Sequence, residues 1–256
     1  MDESLSISLE EAEREVLDAI EDRLRLLQDL LARLRDGGAD PGENLNEVRR
    51  HVHSIKGSAA GVGASAIRVI AHRFEDYLSD VKQLEGAALA DAQIFVDRLD
   101  EATEKRLDPP PDEIARLCRD LPAKHAFDVA DVEVRDIEIM LVMPKTASAH
   151  FVARELAECG YRIVTVWTAP DALALAASMR PDFVIASNVM PDLSGVDVVC
   201  AIRAMPATQG IPVAVLSSER RGHASLKGLP EDVALLSKSD RFADDVTEVF
   251  SRAGLL

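Results

Sequence analysis

Val52-His53-Ser54-Ile55-Lys56-Gly57-Ser58-Ala59-Ala60-Gly61-Val62-Gly63 decides the N-terminal fold, because its spacing predicts an amphipathic helix that ends at paired glycines. At about 3.6 residues per turn, Leu45, Val48, Val52, Ile55, Ala59 and Val62 share one apolar stripe, and His53, Lys56, Gly57 and Ala60 share its neighbour. The second stripe is unusual. Gly57 and Ala60 carry almost no side chain, and a glycine inside a helix costs about 0.5–1 kcal/mol relative to alanine, so a bare surface there implies docking by a partner. An imidazole beside that bare patch, with an ammonium one turn on, suits a nucleophile approached by a large protein. His51 serves as a comparison. Two positions away, it lies about 200° round the helix from His53 and does not share the stripe.

The pattern His53-x-x-Lys56-Gly57 resembles the signature of histidine-containing phosphotransfer (HPt) domains. His-Ser-Ile-Lys-Gly followed by His72-Arg73-Phe74-Glu75 on a later helix is most similar to the phosphorylatable domain of the chemotaxis kinase CheA. That resemblance implies that Glu75 accepts a hydrogen bond from Nδ1–H of His53 and leaves the Nε2 lone pair free to attack phosphorus. It also implies that Lys56 and His72 complete a small polar network beside the phosphoacceptor. His53, Lys56, Glu75 and His72 are therefore the expected catalytic set, with Gly57 and Ala60 as docking positions.

The surrounding composition restricts the class. At 256 residues and 47% apolar, the chain is long enough for two domains, each with its own core. A formal net charge of −16 argues against nonspecific binding to nucleic acid or an anionic membrane. Cys118, Cys159 and Cys200 form no C-x-x-C pair and are expected as reduced core thiols. No run of 18 apolar residues occurs and the first residues are acidic, so a cytoplasmic protein is expected.

Taken in order, Ser8-Leu9-Glu10-Glu11 predicts a capping box at the start of a long helix whose seam is Leu17, Ile20, Leu24, Leu27, Leu31 and Leu34. That seam fits inside a bundle or, as a homodimer, against a second chain. Asp36-Gly37-Gly38 ends this helix, and Asp40-Pro41-Gly42-Glu43 opens the helix carrying His53. A third stripe (Ile67, Ile70, Phe74, Leu78, Val81) carries His72 and Glu75 on its shoulder; a fourth helix runs from about Leu89 to Leu107 and a short fifth from Asp112 to Leu121. Residues 1–121 are thus an expected all-α up-and-down bundle, 122–135 a linker, and 136–256 a second domain.

From Ile137 onward, short apolar strands alternate with helices, which predicts a doubly wound, parallel, five-stranded α/β sheet. Within it, Pro181-Asp182-Phe183-Val184-Ile185-Ala186-Ser187-Asn188-Val189-Met190-Pro191-Asp192-Leu193-Ser194-Gly195 resembles the third strand and loop of a response-regulator receiver domain. The departures are informative. Ser187 stands at the phosphoacceptor aspartate, Met143 and Pro144 at the acidic pair that holds Mg²⁺, Leu235 at the aromatic before the conserved-type lysine position Lys238, and Ser239 at the proline after it. A hydroxyl forms no acyl phosphate, and without carboxylates Mg²⁺ loses its oxygen ligands. The domain reads as a pseudo-receiver, with no cofactor, no metal and no chemistry assigned to Ser217 or Lys238.

No Walker A loop, H-E-x-x-H or G-x-S-x-G occurs, and no residues remain for an ATP-binding kinase domain. The expected function is a phosphocarrier, in which His53 takes a phosphoryl group from a separate, CheA-like kinase or a receiver and passes it to a response-regulator aspartate. The alternative is a non-catalytic adaptor that binds regulators or a kinase through both surfaces.

Overall fold

The computed structural model describes residues 2–38, 40–105, 109–123, 135–238 and 242–255, excepting the side chains of residues 2–10, 243 and 244. It divides into two compact units, Met1–Pro122 and Ala123–Leu256, each with its own core. The expected linker falls mostly on residues 124–134, outside the described residues; Arg135 already bonds through its backbone to Gly160.

Unit one is helical: α1 (Asp2–Arg35), α2 (Pro41–Gly61), α3 (Ser65–Asp80), α4 (Gly86–Glu104) and α5 (Pro111–Arg119). Helices α1 to α4 each pack on the next, α1 closes on α4, and α5 lies against α3. The α1 seam is buried from Leu17 to Leu34 and meets Val48, Val52 and Ile55 of α2, Phe74 and Leu78 of α3, and Phe95 and Leu99 of α4. Phe74 and Phe95 stack at 4.7 Å between centroids, locking α3 to α4.

Helix starts follow local chemistry in one case and override it in another. Asp40 caps α2 as its sequence suggests, its Oδ1 accepting from Gly42 N at 2.9 Å and Glu43 N at 2.8 Å, with Pro41 in the first turn. Ser8 does not begin α1. The helix starts at Asp2 and runs through Ser8, no glycine or proline interrupting its first turns. At the far end Gly37 adopts φ +70°, the left-handed conformation that terminates the helix.

Unit two is a parallel five-stranded sheet in the order β2-β1-β3-β4-β5, built from β1 (Glu138–Val142), β2 (Arg162–Val166), β3 (Phe183–Ser187), β4 (Val213–Ser217) and β5 (Ala234–Ser237). The intervening helices are α6 (Ala147–Glu158), α7 (Ala169–Met179), α8 (Gly195–Ala204) and α9 (Phe242–Arg252); a single 3₁₀ turn, Ala224–Leu226, lies between β4 and β5. Helices α6 and α9 pack with Ile139, Leu141, Phe183, Ile185 and Leu236 on one face, while α7 and α8 contact the strands together elsewhere. This is the doubly wound α/β architecture with flavodoxin-like strand order.

Candidate functional site

The site is created by a tight connection. Helix α2 ends at Gly61, Gly63 turns with φ +71°, and α3 begins at Ser65. The two helices run back along each other. His53 lies eight residues before the end of α2, about 12 Å back, and Glu75 ten residues into α3, about 15 Å, so positions far apart in sequence face each other across the pair. Arg49, one turn before His53, fixes that pairing by donating to the carbonyls of Leu78 at 2.6 Å and Val81 at 3.0 Å near the end of α3. Sequence reasoning missed Arg49, since nothing in a helical arginine's local pattern marks its partner on another helix.

His53 is the exposed member of the pair, its side chain 71% accessible against 31% for Glu75 and 24% for Lys56. Its Nδ1 lies 2.8 Å from Glu75 Oε1. A carboxylate only accepts, so Nδ1 carries a proton in this bond, and in the neutral ring that tautomer leaves the lone pair on Nε2. Lys56 Nζ donates to the other carboxylate oxygen, Oε2. Burial alone would raise the Glu75 pKa, but the hydrogen bonds from Lys56 and His53 outweigh it and hold this carboxyl below its ordinary value. Glu75 is therefore an anion clamped between a cation and an imidazole N–H.

The structure brings His53, Lys56 and Glu75 together but places His72 differently from the expected shoulder. His72 is 5% exposed, inside the bundle, because α3 is covered by α2, α4 and α5 and most of its circumference is buried. Gly57 and Ala60 are exposed beside His53, and a Cβ added at Gly57 would meet no atom within 4 Å. His51 is half-buried, burial lowering its pKa, and its Nε2 lies 3.9 Å from Glu47 Oε1 one turn back on the same helix. Of the cysteines only Cys118 is buried; Cys159 is exposed where α6 ends and Cys200 lies on a half-covered flank of α8. The expected set of three core thiols is corrected accordingly, helix ends and flanks being poorly covered positions.

In unit two, Ser187 ends β3 at 1% exposure and Met143 beside it is equally buried, while Pro144 is half-buried. Lys238 Nζ donates to Ser187 Oγ at 3.3 Å, and Ser217 Oγ accepts from Glu219 N at 3.0 Å. Leu235 is half-buried on β5; Ser239 lies outside the described residues. Sequence reasoning gave Lys238 no partner, since its bond crosses from β5 to β3.

Residues 9–108 match the family model of the Hpt domain. A curated relative named "probable transcriptional regulatory protein TcrX", from Mycobacterium tuberculosis, is 29% identical over 93 residues, covering 36% of this chain and 39% of its own. The chain thus spans about two-fifths of the length of that relative. Among solved structures, the receiver domain of the sensor histidine kinase PA1611 from Pseudomonas aeruginosa is 22% identical over 46% of this chain and 98% of that one, with a TM-score of 0.42. The response regulator TrrA from Thermotoga maritima is 25% identical over 46% of this chain and 98% of that one, with a TM-score of 0.39. No helix among the described residues is long and apolar enough to cross a membrane. Unit one thus contains the segment that matches the Hpt model, and unit two is a parallel five-stranded α/β sheet in the order β2-β1-β3-β4-β5.

Proposed function

We propose that the chain is a histidine phosphotransfer protein, carrying a phosphoryl group on His53 between a kinase or receiver and a response-regulator aspartate. The observation that carries this reading is the 2.8 Å bond from His53 Nδ1 to Glu75, which leaves an exposed Nε2 as the nucleophile. In the first step the Nε2 lone pair attacks phosphorus, an N–P bond forms, and the donor's P–O bond breaks with its electron pair leaving on the donor oxygen. In the second, a carboxylate oxygen of the recipient attacks and the N–P pair returns to Nε2.

The phosphorylated ring is cationic, and the anionic Glu75 at Nδ1–H offsets that charge. Lys56 orders the carboxylate in the resting state and is close enough in sequence and space to meet phosphoryl oxygens as they arrive. Phosphoryl transfer is chiefly positioning and charge neutralisation, so the bundle needs only to present His53 while its partner supplies carboxylates and Mg²⁺. The exposed, nearly bare surface at Gly57 and Ala60 suits close approach by a receiver domain. The CheA-like character of the bundle and the pseudo-receiver character of unit two belong to this proposal.

The test is phosphorylation of the full chain by radiolabelled ATP with a panel of candidate kinases. Label is expected on wild type and absent from His53→Gln, with melting nearly intact because the exposed ring packs against little and only its bond to Glu75 is altered. Retained label in His53→Gln, or its loss in His51→Gln alone, overturns the reading.

A further inference from the structure

Three side chains of α2, at i, i+4 and i+7, reach polar groups of α3 from one stripe. Arg49 donates to the carbonyls of Leu78 and Val81, His53 meets Glu75 Oε1, and Lys56 donates to Glu75 Oε2. The last two form the candidate site, and Arg49 lies one turn, about 6 Å, before it. Its bonds answer a defect in α3. That helix ends at Asp80 with no basic residue in its own last turn, so its negative end lacks a cation from within the helix. Val81 N–H returns to Leu78 O at 3.3 Å, and Arg49 Nη2 takes up the same carbonyl at 2.6 Å and that of Val81, the C-cap, at 3.0 Å. The guanidinium is steadied from its own helix as well, Nη1 lying 3.5 Å from Asn46 Oδ1.

Glu75 stands three residues before Leu78, about 4.5 Å along the axis, so the turn that Arg49 holds is the turn that carries the carboxylate. That carboxylate serves two partners of unequal reach. Lys56 has a long flexible stem and follows a displaced oxygen, whereas the short imidazole arm of His53 does not. The His53 bond of 2.8 Å is lost beyond about 3.5 Å, so a shift of about 1 Å at the end of α3 breaks it while the Lys56 contact survives. The consequence falls on the tautomer, which is set by the bond the other ring nitrogen makes. A neutral imidazole without such a bond favours the proton on Nε2, and that form has no lone pair where the proposed transfer needs it.

We infer that Arg49 is a positioning residue for this site: through two carbonyls it sets α3 against α2 so that Glu75 holds Nδ1–H of His53, and its loss shifts the tautomer and slows transfer. The rate effect rests on the proposed role of His53; the tautomer effect does not. The full chain, labelled with ¹⁵N-histidine, is compared as wild type, Arg49→Gln and Arg49→Lys in mildly alkaline buffer, where the ring is neutral. In Arg49→Gln the population with the proton on Nδ1 is expected to fall, and single-turnover phosphorylation to slow roughly two- to fivefold, bounded by the loss of the Glu75 bond itself. Arg49→Lys keeps the charge and lies between. In a Glu75→Ala background Arg49→Gln changes neither quantity further, because the residue through which it acts is gone. Should Arg49→Gln fail to fold, Arg49→Lys is read in both backgrounds, with the same direction expected. Wild-type nitrogen shifts in a folded Arg49 variant, a wild-type rate despite a shifted tautomer, or an equal effect in both backgrounds overturns the inference. A tautomer that shifts in a chain no kinase labels at His53 supports the positioning role and overturns the proposed function instead.

Discussion

Replacing Glu75 by alanine removes two bonds at once, and the structure sets the size of the loss. A hydrogen bond to a charged group contributes about 1.5–3 kcal/mol when shielded. With His53 71% and Glu75 31% exposed, solvent screening brings the Nδ1 bond nearer to about 1 kcal/mol. Because the ring becomes cationic as phosphorus bonds to Nε2, that interaction strengthens on the way to the transition state, and losing a gain of about 1 kcal/mol there corresponds to a roughly fivefold slower phosphorylation of His53. Glu75→Gln separates orientation from charge: its amide oxygen still accepts from Nδ1–H, but Lys56 loses its ionic partner. The expected order of rates is wild type, then Gln, then Ala. Single-turnover phosphorylation, with imidazole ¹⁵N shifts to report the tautomer, measures both parts. Identical rates and identical nitrogen shifts in Glu75→Ala and wild type would refute the reasoning.

Further outcomes follow from the same geometry. Glu75 has a depressed pKa, so its contribution to bundle stability is present above the ordinary carboxylate pKa and is lost as pH falls through the lower folded value; acid melts should show this late loss in wild type and not in Glu75→Gln. Gly57→Ala meets no neighbour and gains helix propensity, so the bundle should be about 0.5–1 kcal/mol more stable in denaturant melts, while transfer to a receiver slows. Unchanged transfer would remove the docking role of that surface. Gly195→Ala should destabilise unit two strongly, since the added Cβ would lie 2.4 Å from Ser187 O; an unaltered melt of that unit would contradict the packing described. Lys56→Ala should slow phosphorylation without removing the acceptor, and equal rates would leave Lys56 as a surface residue.

The parts legible in the sequence are those with local or periodic causes. The buried stripe of α2, its Asp40 and Pro41 start, the turn at Gly63 and the alternating strands all follow from spacing and capping chemistry. The His53–Glu75 pair was legible only through a resemblance, because its geometry depends on how two helices fold back. What stayed hidden depends on coverage by other elements. His72 lies buried because three helices surround α3, Arg49 acts on carbonyls of another helix, and the Lys238–Ser187 bond skips a strand. Ser8 misled because a capping box is a local signal, and an uninterrupted helical sequence ahead of it let the helix extend.

The central claim is that the phosphoryl group resides on Nε2 of His53. Treating the ¹⁵N-histidine-labelled chain with a small phosphoryl donor such as phosphoramidate, or with its kinase, and recording phosphorus–nitrogen couplings measures this directly. The account predicts one phosphohistidine, at residue 53, bonded through Nε2 with Nδ1 protonated and still held by Glu75. Phosphorylation through Nδ1, on His51, or on no histidine would contradict it.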